Sequence, residues 1–242
     1  MLLRMGGRDL SPISSDRRKV DAMRRFLVRL VAAVLLAPLV VLLAYRFLPV
    51  PGTPLMLIRL AEGESLRYDW VPLDEIAPSL PRLVVAAEDN LFCRHWGFDV
   101  DAFQRELEKA LEGEESRGAS TITMQVAKNL FLWPARSFVR KGLEAWLTPY
   151  VELVLPKRRI IEIYLNIAEW GPGVYGAEAA ARAHFRVPAA RLSEAQAAQM
   201  AAVLPNPRRW SAASPTAYIQ NRAAIYRQRV GQLGPANLGC WR

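Results

Sequence analysis

Histidine and cysteine are nearly absent from this chain of 242 residues, which carries two of each. His95 and His184 are far apart, so a His-rich metal site is not expected, and a Ser-His-Asp arrangement has few starting points. Cys93 and Cys240 can supply neither a disulfide framework nor a Cys-rich zinc module, and their spacing suggests no redox pair. The fold is therefore expected to stand on its apolar core. S-x-x-K and K-T-G occur nowhere, which excludes acyl-serine chemistry of the penicillin-binding type. Alternating strand patterns are almost missing, and no repeat or low-complexity tract stands out. With 52% apolar and 23% charged residues the chain is neither fibrous nor disordered, and it is long enough for one sizeable core.

One long apolar run is present. Leu30 to Ala44 contains no charged or polar side chain, and with its flanks the run from Phe26 to Leu48 can cross roughly 30 Å of hydrocarbon at about 1.5 Å per residue. Arg29 and Arg46 lie near its ends, where they can snorkel to the headgroups. Residues 1–29 hold eight Lys/Arg against three Asp, so the positive-inside rule places the tail in the cytoplasm and residues 49–242 outside. A cleaved secretory signal is the alternative, although Tyr45-Arg46-Phe47 makes a poor small-residue cleavage site.

Of the formal net charge of +9, the tail accounts for +5. Lys128 to Arg159 holds another +5, so the remainder is close to neutral. A cationic excess gathered into one region of an external domain points to a local anionic partner, a phosphate, a diphosphate or an anionic headgroup, unless it is only a solvated basic helix face. Nucleic acid is disfavoured, because no helix-turn-helix, zinc-finger or RNA-binding signature accompanies the charge.

After a proline-rich stretch over residues 49–82, read as an extended connector with a short strand near Met56 to Arg59, helical spacing dominates. Helices are expected at Val84 to Phe92, from Asp101 as an N-cap with Gln104, at Thr121 to Leu132, and at Ser137 to Leu147. Others are expected from Thr148-Pro149 up to Pro156, at Lys157 to Ile167, at Ala177 to His184, and at Ser193 to Leu204. Phe103, Leu107 and Leu111 make one apolar stripe, and Gly113 to Gly118 reads as a polar loop. The domain is thus mainly α, with expected boundaries of a basic tail at 1–25, an anchor at 26–48, a connector at 49–69, a globular domain at 70–235 and a C-terminal tail at 236–242.

Three short motifs invite over-reading. Gly171 to Gly176, GPGVYG, fits G-x-G-x-x-G, but it follows a helix instead of a strand and reads as a glycine-rich turn. Asp99-Val-Asp101 matches a D-x-D metal motif without the α/β sheet that such transferases need. Cys93-Arg-His95 is at most half a metal site.

Three clusters carry chemistry. In AAEDNLFCRHWGFD, Ala86 to Asp99, adjacent acids close an apolar helical run, where burial can raise a carboxylate's pKa toward that of a general base. In GASTITMQVAKNLFL, Gly118 to Leu132, Ser120 and Thr121 can cap a helix whose Thr121, Gln125 and Lys128 share one face. In RSFVRKGLEAW, Arg136 to Trp146, Arg140 and Lys141 precede Glu144 by one turn. Taken singly, these could be a solvated helix end and a surface ion pair. Together, two separated glutamates and at least four cations suit transfer of a sugar from a diphosphate leaving group.

EDxxFxxHxGxD, GxSTIxxQxxKNxFL, RKxxE and KxxIxExYLNxxxxG occur in that order, and the pattern continues through Gly176-Ala-Glu-Ala-Ala-Ala and Leu204-Pro205-Asn206-Pro207. Over about residues 70–230 the chain resembles the peptidoglycan glycosyltransferase family. One anchor and no transpeptidase motif resemble its monofunctional branch in Gram-negative bacteria. The resemblance implies a lysozyme-like, two-lobed helical domain behind one transmembrane helix, held in the bacterial inner membrane with the domain periplasmic. It implies polymerisation of lipid II into β-1,4-linked strands, with inversion at the donor anomeric carbon and release of undecaprenyl diphosphate.

On the matching positions, the resemblance makes Glu88 the general base and Glu144 the second catalytic glutamate, which either orients the cations or helps position the diphosphate. Lys128 and Arg136 would hold the donor diphosphate, while Ser120, Thr121, Gln125, Arg140 and Lys141 would line the cleft, with Glu162 and Asn166 bracing it. Phe131, Leu132, Trp133 and Phe138 would contact lipid. Met124 and His184 depart from the family's usual glutamine and tyrosine. No cofactor is required and no dedicated metal site is offered, although Mg²⁺ or Mn²⁺ could bridge the diphosphate and a carboxylate. The expected partners are lipid II, the growing glycan strand and membrane lipids, with cell-division or elongation proteins as further candidates. Rival readings are a lysozyme-like hydrolase or lytic transglycosylase, and an inactive anchored scaffold of wall synthesis.

Overall fold

The computed structural model describes residues 13–112, 120–135 and 137–241, so the loop expected at Gly113 to Gly118, and Arg136, lie outside the described residues. The first helix, α1, runs Ile13–Tyr45, and its stretch Lys19–Tyr45 is long and apolar enough to cross a membrane. Val31, Val34 and Leu36 stay exposed along it, which suits a lipid-facing helix better than a core helix. The residues up to Val41 form one compact unit, and Leu42 onward forms a second.

That second unit starts well before the expected boundary at residue 70. Residues 54–61 form helix α2, Pro54–Ala61, and not the strand expected from Met56 to Arg59. The cause is local: the Thr53 hydroxyl accepts from the Met56 N–H, and Pro54 sits in the first turn, where its missing N–H costs nothing. Within this second unit Arg159 donates to the carbonyls of Tyr45 and Leu48, at 2.7 Å for Tyr45.

Three further helices carry the first half of the domain: α3 (Ser79–Glu88), α4 (Val100–Leu111) and α5 (Ile122–Phe131). The second half adds α6 (Phe138–Val154), α7 (Lys157–Ile167), α8 (Ala177–Phe185), α9 (Glu194–Val203) and α10 (Ala217–Leu238). The mainly α expectation holds. Every residue of α7 from Ile160 to Ile167 is buried, as befits a helix at the centre of the core. Around it pack α5 and α6, while α3 lies against α9 and α10, where Ala197, Ala198, Ala201 and Ala202 permit close approach.

Several boundaries moved for identifiable reasons. The N-cap of α4 is Asp99, whose Oδ1 accepts from the Ala102 N–H at 2.8 Å, and not Asp101. Phe103 and Leu111 of the apolar stripe face outward. The α6 helix passes through Pro149 instead of restarting at Thr148, whose hydroxyl donates to the Glu144 carbonyl at 2.7 Å. Pro156 does end it. Ser193 and Gln196 form the expected capping box on α9.

The small sheet has the order β1-β3-β2, with β1 (Arg67–Tyr68) parallel to β3 (Val174–Tyr175) and β2 (Glu169–Gly171) antiparallel to it. GPGVYG is therefore a hairpin turn. A side chain at Gly173 would place its Cβ 2.0 Å from the Ser65 carbonyl oxygen, so glycine is required by backbone approach. Asn166 braces the preceding segment, accepting from the Val71 N–H and donating to the Val71 carbonyl, each at 2.9 Å. Glu162 accepts from the Leu73 N–H at 3.1 Å.

The cysteine expectation needs correction. Cys93 and Cys240 are joined in a disulfide across 147 positions of sequence. The residues expected as a C-terminal tail are thereby tied to the loop after α3, and Trp241 is buried with its ring 6.1 Å from that of Phe92. A cross-link closing so long a loop removes much unfolded-state entropy. Cys240→Ser is expected to cost the domain about 2–5 kcal/mol, read as a lowered denaturation midpoint that reductant no longer changes.

Candidate active site

The site begins at the C-terminal end of α3, where two adjacent acids part company. Asp89 turns inward: its Oδ2 accepts from the Ile122 N–H at 2.9 Å and its Oδ1 lies 2.9 Å from His95 Nε2. It anchors the N-terminus of α5 and fixes His95, which with the disulfide at Cys93 leaves no half metal site in Cys93-Arg-His95.

Glu88 lines a cavity of about 350 Å³ together with Asp89, Asn90, Asp99, Arg105 and Ser120. Its Oε2 accepts from Gln125 Nε2 at 3.0 Å, and the Tyr164 hydroxyl donates to Gln125 Oε1 at 3.3 Å. Burial pushes the Glu88 pKa above the ordinary glutamate value, while the Gln125 hydrogen bond and the charges of Arg222 and Lys128 pull it partly back.

The C-terminal part of helix α5 lines a second cavity. Lys128, Asn129 and Leu132 line a space of about 410 Å³ with Leu55, Trp133 and Arg140. Burial lowers the Lys128 pKa, and the carboxylate of Glu144 opposes that shift. A largely desolvated ammonium is expensive to keep charged without an anion beside it.

Glu144 serves the cations beside it. Its side chain is only 2% exposed, with Oε2 accepting from Arg140 Nη1 at 2.9 Å and Oε1 from Lys141 Nζ at 2.8 Å. Lys141 also donates to Ser120 Oγ at 2.7 Å, and Arg140 to the Ala135 carbonyl. Glu144→Ala would leave a buried guanidinium unpaired, at an expected cost of about 3 kcal/mol in thermal or denaturant unfolding, the low end because Lys141 can turn to water.

Of the residues expected to bind substrate, Ser120, Thr121, Lys128 and Arg140 line the cavities, whereas Gln125 is engaged with Glu88 and Lys141 with Glu144. The Thr121 hydroxyl is also spent, donating to the Gly97 carbonyl at 2.6 Å and accepting from the Met124 N–H. Phe138 is 97% exposed and Trp133 partly so, as lipid contact requires, but Leu132 is buried and cannot reach lipid.

A model of the transglycosylase family matches residues 56–230. The chain belongs to this family. The biosynthetic peptidoglycan transglycosylase of Rhodospirillum centenum is 56% identical over 209 residues, covering 84% of this chain and 90% of that protein. The protein of the same name from Pseudomonas fluorescens is 51% identical over 227 residues, 91% of each chain, and that of Caulobacter vibrioides is 50% identical over 200 residues, 83% and 87%. The transglycosylase match starts inside α2, which places that helix with the catalytic domain.

The two departures from the transglycosylase pattern fall away from the cavities. Met124 is buried in the core face of α5, and His184 Nε2 lies 3.1 Å from the Trp170 carbonyl oxygen. Sequence reasoning missed Arg222 and Tyr226, whose only signal is their i, i+4 spacing on α10; nothing local says that this face meets Glu88.

Proposed function

We propose that this chain is a peptidoglycan glycosyltransferase that extends glycan strands from lipid II, with Glu88 as general base and Lys128 and Arg140 holding the donor diphosphate. The observation that carries the proposal is a partly desolvated carboxylate, Glu88, and a largely desolvated ammonium, Lys128, each lining a cavity and each acting on the other's charge. In the reaction the acceptor 4-hydroxyl attacks C1 of the donor sugar from the face opposite its α-linked diphosphate, giving a β-1,4 bond with inversion. Glu88 takes the hydroxyl proton as the C1–O bond to the diphosphate breaks, and undecaprenyl diphosphate leaves. Glu144 acts through Arg140 and Lys141, which favours the orienting role over direct contact with substrate.

A lytic enzyme acting on neutral glycan has no use for the Lys128 cavity, which disfavours that rival. The catalytic domain is assigned to the outer side of the inner membrane. The basic tail supports this, and so does the disulfide, since such bonds persist in oxidising compartments.

The test is incubation of detergent-solubilised protein with labelled lipid II, followed by muramidase digestion. Polymer that muramidase cuts and penicillin does not prevent supports the proposal. Intact lipid II after incubation with folded protein refutes it, and cleavage of purified glycan strands would then favour the lytic reading.

A further inference from the structure

Helix α10 carries three residues at i, i+4 and i+7 on the face that packs against α3: Arg222, Tyr226 and Arg229. Arg229 donates to the Ala86 carbonyl at 2.8 Å, two residues before Glu88, and so fixes this face to the last turn of α3. Tyr226 is buried beside it. Arg222 is enclosed by three rings, with its guanidinium carbon 5.3 Å from the ring centre of Tyr226, 5.5 Å from Trp210 and 5.7 Å from Tyr218. It donates to both tyrosine hydroxyls, at 3.3 Å for Tyr218. Among the described residues its buried Nε has no hydrogen-bond partner, and no carboxylate forms an ion pair with it.

A guanidinium boxed by aromatic faces is held in place without being neutralised. The domain therefore holds a positive charge on the face of α10 that packs against α3, and this charge favours the ionised form of Glu88. The charged and titratable groups that face Glu88 are Asp89 at its own helix end, Lys128 on α5, Tyr164 on α7, and Arg222 and Tyr226 on α10. Asp89 opposes an ionised Glu88, whereas the charges of Arg222 and Lys128 favour it. These two cations differ in fate. Lys128 lines the cavity assigned to the diphosphate, so its field is taken up by that anion when substrate binds; Arg222 lines neither cavity and keeps its field on Glu88 throughout.

We propose that Arg222 is a positioning residue for the proton transfer at Glu88, a cation locked in an aromatic box that keeps the carboxylate ready to accept the proton while substrate is bound. The proposal rests on Glu88 being the base. The sign follows directly. Removing a nearby positive charge makes the carboxylate bind its proton more tightly, and a general base works only when unprotonated, so the acid limb of kcat/KM must move to higher pH.

The test is the pH profile of lipid II polymerisation by the full-length protein carrying Arg222→Gln or Arg222→Lys. Arg222→Met, which fills the box with an apolar stem, is the second neutral variant should Gln not fold. The neutral variants should move the acid limb up by about 0.5–1 pH unit with the rate recovering above it, and Arg222→Lys should leave the limb in place. An unmoved limb with the rate reduced equally at every pH would mean a structural role and overturn the proposal. A limb that moves as far in the lysine variant as in the neutral ones would overturn it as well, since charge would not be the cause. Glu88→Gln assayed alongside separates the two levels: if that variant still polymerises, it is the assignment of the base that has failed.

Discussion

Glu88→Gln is expected to lose polymerisation by about 10²–10⁴-fold in kcat/KM while keeping the fold, because proton transfer in the transition state is the one contribution that the amide cannot supply. The substitution is nearly isosteric and keeps an oxygen to accept from Gln125. It should not weaken the domain. The folded-state pKa of Glu88 lies above its unfolded value, so this group favours the folded state most at low pH, and that contribution is lost as pH rises through the raised pKa. At pH 7 the wild-type carboxylate is therefore a small burden that the amide removes, and the variant's melting temperature should match or exceed that of the wild type. In the wild-type enzyme the acid limb of activity should lie above the usual glutamate range, because the base must be ionised to work. A variant that polymerises normally, or one that merely unfolds, would remove Glu88 from the mechanism as described.

What could be read ahead of the structure was governed by how local each cause is. The α5 helix and its Thr121 cap, the Ser193–Gln196 capping box and the stop at Pro156 depend on residues within a few positions of one another, and they were legible. Proline propensity is also local and points to a boundary at Pro149, yet burial of Leu147, Val151 and Val154 on one continuous helix outweighs a single missing backbone hydrogen bond. In α2, a helix of eight residues was hidden among prolines whose positions mattered more than their number.

The site divides in the same way. Glu88 and Lys128 could be singled out because helix-end acids and the polar face of α5 are sequence patterns, and the family motifs contain both. The different fates of Glu88 and Asp89 could not, since only the placement of Ile122 and His95 decides which acid turns inward. The Cys93–Cys240 bond and the approach of Arg222 to Glu88 join residues more than 130 positions apart, and no spacing rule reaches that far.

Lys128→Ala carries the second large effect, an expected 10²–10³-fold loss of kcat, roughly what removing one preorganised charge partner of a developing anion costs. The leaving diphosphate gains negative charge as the C1–O bond breaks, so an ammonium already desolvated beside it stabilises the transition state more than the ground state. Burial holds the Lys128 pKa below the ordinary lysine value in the free enzyme, so activity should also fall at alkaline pH, from a lower pH than an exposed lysine would give. The sign for stability is opposite to that for catalysis. A lysine with a depressed folded-state pKa disfavours folding while charged, so at neutral pH the alanine variant should be at least as stable as wild type. Activity lost with stability retained is the signature of a residue placed for an anion and not for the fold. Lys128→Ala with an unchanged rate, or with a loss of rate matched by unfolding, would remove the diphosphate from this cavity.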